Sequence, residues 1–85
     1  MSYQVGFDEE AIKFLEKLPS NTKKRIYAKI ISTKENPHHF FERLTDRTDY
    51  RLRVGDYRVI ADLDDSNMLI KVILIGHRKN VYDKK

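Results

Sequence analysis

Apolar positions change their period part-way along the chain. Ala11, Phe14, Leu15 and Leu18 recur at three- and four-residue steps, which makes one helical stripe. Asp8-Glu9-Glu10 precedes that stripe, with Asp8 as an N-cap and acids in the first turn, where the helix dipole favours them. Ahead of it Tyr3 to Phe7 alternates, which predicts a short strand running into the helix. Leu18-Pro19-Ser20-Asn21 ends this helix and caps the next. The second helix carries Ile26, Tyr27, Ile30, Ile31 and Lys34 and stops at Asn36-Pro37. Two helices joined by a tight turn form an αα-hairpin.

Beyond Pro37 the helical period is lost. His38 to Asp49 reads as a loop pinned by Phe40, Phe41 and Leu44. Tyr50-Arg51-Leu52-Arg53-Val54 then alternates strictly, Gly55-Asp56 signals a two-residue turn, and Tyr57-Arg58-Val59-Ile60-Ala61 follows. Asp64-Asp65-Ser66-Asn67 is a second turn. Met68 to Ile75 is apolar except at Lys71, as expected of a strand covered on both faces. The expected fold class is α+β: an N-terminal strand and an αα-hairpin packed on an antiparallel sheet of three to four strands. One domain is expected over residues 1–85, with no repeats, low-complexity stretches or linkers.

The predicted hairpin places charge in an unusual way. With a two-residue turn, Val54 faces Tyr57, Arg53 faces Arg58 and Leu52 faces Val59. Leu52, Val54, Tyr57 and Val59 then share one face, and Arg51, Arg53 and Arg58 the other. Like charges directly opposite each other destabilise a sheet by up to about 1 kcal/mol. A cluster retained at that cost suggests an anion site, and the arginine fork suits phosphate. The alternative is a solvated face whose arginines pair with Asp46, Asp49 or Asp62. Arg78, at the end of the last strand, is expected to join this basic surface. Tyr82 lies beyond the apolar run, as a base-stacking or proton-transfer group or as an aromatic covering the sheet.

Charge supports a polyanionic partner. The 85 residues hold 17 Lys+Arg against 13 Asp+Glu, a net charge of +4. Residues 23–36 and 71–85 each carry net +4, while residues 59–70 carry net −3. Lys23-Lys24-Arg25 reads first as a solvated helix face, with RNA contact as the alternative. The absence of cysteine excludes disulfides, thiolate catalysis and cysteine-based zinc sites. His38-His39 and His77 lack metal-ligand spacing, so no metal or other cofactor is expected. His77 and Lys79, flanking Arg78, are expected as RNA contacts. With no signal peptide or membrane span expected, the anticipated setting is the cytoplasm.

Tyr50-Arg51-Leu52-Arg53-Val54-Gly55-Asp56-Tyr57-Arg58-Val59-Ile60, together with Ile75-Gly76-His77-Arg78 and the late Tyr82, resembles the RelE/ParE toxin superfamily. The likeness is to archaeal RelE members especially, and it covers nearly the whole chain. It implies the toxin of a type II toxin–antitoxin system: a ribosome-dependent, metal-free endoribonuclease that cuts mRNA in the A site. The nucleophile would be the RNA 2′-hydroxyl, leaving a 2′,3′-cyclic phosphate, and a RelB-type antitoxin would hold the toxin inactive. The resemblance assigns catalytic positions to Arg51, Arg53, Arg58, Arg78 and Tyr82. Well-studied bacterial members carry lysines where this chain has Arg51 and Arg53, and arginine cannot serve as a base. The base is then Tyr82, or the ribosome and RNA complete the site, or cleavage runs slowly on orientation and electrostatics alone. The same fold also supports two other functions: a ParE-like inhibitor of DNA gyrase, or a basic ribosome- or RNA-binding module without turnover.

Overall fold

In a computed structural model that describes residues 2–45 and 48–77, the chain runs through eight elements. They are β1 (Gln4–Phe7), α1 (Glu9–Glu16), α2 (Ser20–Ser32), α3 (Pro37–Phe40), β2 (Glu42–Arg43), β3 (Tyr50–Val54), β4 (Tyr57–Asp64) and β5 (Leu69–His77). The strands form one sheet in the order β1-β5-β4-β3-β2. The α+β architecture matches expectation, with three corrections. His38 to Phe40, read as the start of a loop, belong to the short helix α3. Among the described residues there are five strands, because Glu42–Arg43 pairs with β3 inside the segment read as a loop. The sheet is also mixed, because β1 joins β5 in parallel while every other pairing is antiparallel.

All three helices begin without a side-chain cap. Asp8 occupies the N-cap of α1, but its carboxylate instead pairs with Lys71 at 3.5 Å. Pro19 sits at the N-cap of α2, the position before the helix where its missing N–H does no harm. Between helices and sheet lies one apolar layer of Ala11, Ile26, Ile30, Leu52, Val54, Val59, Ala61, Leu63, Ile70, Val72 and Ile75. Ile26, Ile30 and Ile70 are completely enclosed, and each such side chain contributes about 1.5–3 kcal/mol through burial. Phe41 joins this layer as expected, whereas Phe40 and Tyr27 remain partly exposed. Tyr27 lies against Phe7, with ring centroids 6.2 Å apart.

A bulge decides which way the end of β5 faces. Ile60 pairs with Leu74 but Ala61 with Val72, so Ile73 is an extra residue on β5. Val72 faces the core before it and Ile75 after it. Unbroken alternation from Val72 puts Ile75 and His77 on the outer face; the bulge turns both inward. No helix among the described residues is long and apolar enough to cross a membrane.

Candidate functional site: an arginine face on the outer side of the sheet

The hairpin forms in the register that alternation predicts. Val54 pairs with Tyr57, Arg53 with Arg58, and Leu52 with Val59. Gly55 has φ +58°, as the first central position of a type II′ turn requires. Leu52, Val54 and Val59 face the helices, so Arg51, Arg53 and Arg58 share the outer face.

Their surroundings are not alike. Arg53 is exposed, the Arg51 side chain is 22% exposed, and Arg58 only 6%. Ile60, on the same face and opposite Arg51, is itself buried. Arg58 lies across from Gly76, and Ile60 from Leu74. The arginines therefore rise from an apolar floor, where charge-assisted hydrogen bonds to an incoming anion are strengthened by the low local dielectric.

Glu42 is the residue that sequence reasoning missed. It sits on β2 directly across from Arg51, and Nη2 of Arg51 donates to its Oε1. That hydrogen bond, followed by the positive charges of Arg51, Arg53 and Arg58, holds the Glu42 carboxyl below the usual carboxylate range. It is ionised at neutral pH and 70% exposed. A two-residue strand has no periodicity to read. The only available signal was that three arginines on one face call for an anion.

His77 pairs with Tyr57, and their rings meet edge-on at 5.6 Å. It therefore lies on the helix side of the sheet, away from Arg53 and Arg58. Arg78, Lys79 and Tyr82 lie outside the described residues, as does Asp46. Among the described residues no group of three or more His, Asp or Glu side chains is arranged to hold a metal. His38 instead meets Asp65 at 2.7 Å, and the Tyr3 hydroxyl donates to the same carboxylate at 2.8 Å.

A face of arginines with Glu42 set against Arg51, on a mixed five-stranded sheet backed by α1 and α2, narrows the comparison with known proteins. The family model for the ParE toxin of the type II toxin–antitoxin system parDE matches residues 5–82. The chain belongs to this family. It is thus the toxin component of a type II system, as the resemblance in the hairpin implied. Among curated members of the superfamily, the mRNA interferase toxin RelE of Escherichia coli (strain K12) is 29% identical over 82 residues. The match spans 93% of this chain and 86% of that protein. The toxin in the intact E. coli RelBE toxin–antitoxin complex superposes with a TM-score of 0.74 at 28% identity, over 89% of this chain and 96% of that one. The archaeal RelE–RelB complex from Pyrococcus horikoshii OT3 gives 0.75 at 26% identity, over 94% and 99%. The RelBE2 complex of Mycobacterium tuberculosis gives 0.81, covering 92% and 100%, and at 22% identity it speaks for the fold alone.

Proposed function

We propose that this toxin is a metal-free endoribonuclease that cuts mRNA in the ribosomal A site and so stops translation. The observation that carries the reading is the outer face of β3 and β4, where Arg53 stands opposite Arg58 with Arg51 beside them. Such a face is costly for the fold and well shaped for a phosphodiester. The names of the E. coli and Shigella flexneri relatives, both called mRNA interferases, support RNA as the substrate.

In this reading the 2′-oxygen attacks the adjacent phosphorus, a 2′-O–P bond forms, and the P–O5′ bond breaks. The products are a 2′,3′-cyclic phosphate and a 5′-hydroxyl. Arg51, Arg53 and Arg58 clamp the non-bridging oxygens and stabilise the charge that grows on them. Arg78 joins them, Tyr82 protonates the departing 5′-oxygen, and Lys79 contacts the RNA backbone. Glu42 supplies the proton acceptor that the arginines cannot be. A phosphate arriving at Arg51 releases the carboxylate, which then takes the 2′-hydroxyl proton. The site works as one domain over residues 1–85 in the cytoplasm, and a RelB-type antitoxin silences it.

The test is purified toxin added to ribosomes carrying a defined mRNA, with cleavage mapped by primer extension. Cuts within the A-site codon that need the ribosome and persist in EDTA are expected. The matching family is that of the ParE toxin, and the resemblance to ParE members implied a second reading, inhibition of DNA gyrase. Intact mRNA together with gyrase-dependent DNA breaks would establish that reading and overturn the first.

A further inference from the structure

The arginine face does not end at the hairpin turn. Beside it, between α2 and the end of β3, runs an open groove of about 460 Å³ lined by Arg25, Ala28, Lys29, Arg53, Val54 and Gly55. β2 pairs only with Tyr50 and Arg51, so it does not reach this part of β3. Three cations from two elements thus line one depression, and no carboxylate is among the lining residues. Among the described residues none of the three makes an ion pair, in contrast to Arg51 with its Glu42.

Two local features hold the cations there. The Arg25 guanidinium lies over the turn, and a Cβ at position 55 would sit only 3.0 Å from its Nη2, so the glycine makes room for it. The Lys29 ammonium lies 5.4 Å from the centre of the Phe40 ring, a cation–π contact that fixes the end of a flexible side chain. Ala28, the small residue between them on α2, leaves the groove open.

We propose that Arg25, Lys29 and Arg53 form a second phosphate subsite, which takes the RNA backbone phosphate next to the scissile one. Arg53 belongs to both the groove and the catalytic face, so a strand leaving the arginine face passes directly into the groove. The inference rests on the ribonuclease reading for its substrate. Its purpose would be register: a neighbouring phosphate held in the groove fixes which phosphodiester lies under Arg53 and Arg58.

The experiment measures binding of a fluorescent single-stranded RNA oligonucleotide to the isolated toxin over a salt series. The Arg25→Ala/Lys29→Ala variant is compared with Lys17→Ala/Lys24→Ala, which removes the same charge from exposed positions outside the groove. The groove variant should bind at least about tenfold more weakly, as expected for losing charge-assisted hydrogen bonds. Its slope of log affinity against log salt should flatten by about 0.7, the value for one phosphate contact on a single strand. The control should keep the wild-type slope. Equal weakening in both variants, or wild-type binding by the groove variant, overturns the subsite. Unchanged RNA binding with weakened capture of an acidic antitoxin peptide also overturns it and assigns the groove to protein. Failure of the ribonuclease reading is separate: the wild type would then leave ribosome-bound mRNA intact while the salt slopes still report on the groove.

Discussion

β4 carries two opposite electrostatic designs at its two ends. At its start, Arg58 faces Arg53 across the hairpin. At its end, Asp64 and the adjoining Asp65 are tied into local networks. Asp64 accepts from both the backbone and the side chain of Asn67, and those bonds hold its carboxyl below the usual range. Asp65 accepts from His38 first and Tyr3 second, which lowers its pKa likewise and raises that of the Tyr3 hydroxyl. The acidic end thereby fastens α3 and Tyr3, the residue leading into β1, to the β4–β5 turn. Each charge at that end is used up in holding the fold. At the basic end three like charges share a face, with Glu42 set against Arg51 at its edge. The difference separates charges that maintain structure from charges held ready for a ligand.

The strongest way to break this contrast is Arg53→Ala/Arg58→Ala. If the basic end serves chemistry, ribosome-dependent cleavage falls by at least about 10²-fold, the usual loss for one transition-state donor. Far-UV circular dichroism should still report a folded protein, because the exchange also removes a repulsive pair.

Glu42→Gln probes the same end from the acidic side. Cleavage should fall by about 10²-fold, in the range of a lost general base. RNA binding should hold or tighten, because Arg51 loses a competing anion. The pH profile gives the sign. In kcat/KM, which follows the free toxin where Arg51 still holds the Glu42 carboxyl down, the wild type loses its base only when pH drops below the usual carboxylate range. That acid limb should vanish in the glutamine variant. A variant that cleaves at the wild-type rate would make Glu42 no more than a partner for Arg51.

The smallest effect is expected at the other end. Asp65→Ala should leave cleavage unchanged and lower the unfolding midpoint modestly. Its carboxylate is 59% exposed, and exposed pairs contribute less than about 1 kcal/mol, a ceiling of about 4–8 °C at this size. A carboxyl whose pKa is lower in the folded state stabilises above its unfolded pKa and loses that contribution as pH falls through the folded one. The difference in stability between wild type and Asp65→Ala should therefore close in acid, below the usual carboxylate range.

How much of the fold and the site was legible in the sequence depended on whether the signal was local. The β3–β4 register followed from alternation and one two-residue turn, so the arginine face could be read from the chain alone. Glu42 could not, because a two-residue strand leaves no pattern and its partner Arg51 lies nine positions away. The parallel partner of β1 was hidden for a similar reason, since Gln4 pairs with Leu69 across most of the chain. His77 shows a subtler limit. Plain strand geometry counted from Val72 sets it on the outer face, but the extra residue at Ile73 reverses the facing of everything after it, and a bulge in an apolar run has no sequence mark. The groove was half visible: Arg25 stood out within a basic run, but only the fold brings it over Gly55.

The most direct test of the division between the two ends of β4 sets them side by side in one assay. Wild-type toxin, Arg53→Ala/Arg58→Ala and Asp65→Ala are each incubated with mRNA-programmed ribosomes, and A-site cleavage is timed. The arginine variant is expected to lose cleavage by at least about 10²-fold while Asp65→Ala matches the wild type. Equal cleavage by the arginine variant, in a folded protein, would contradict a catalytic role for the basic end.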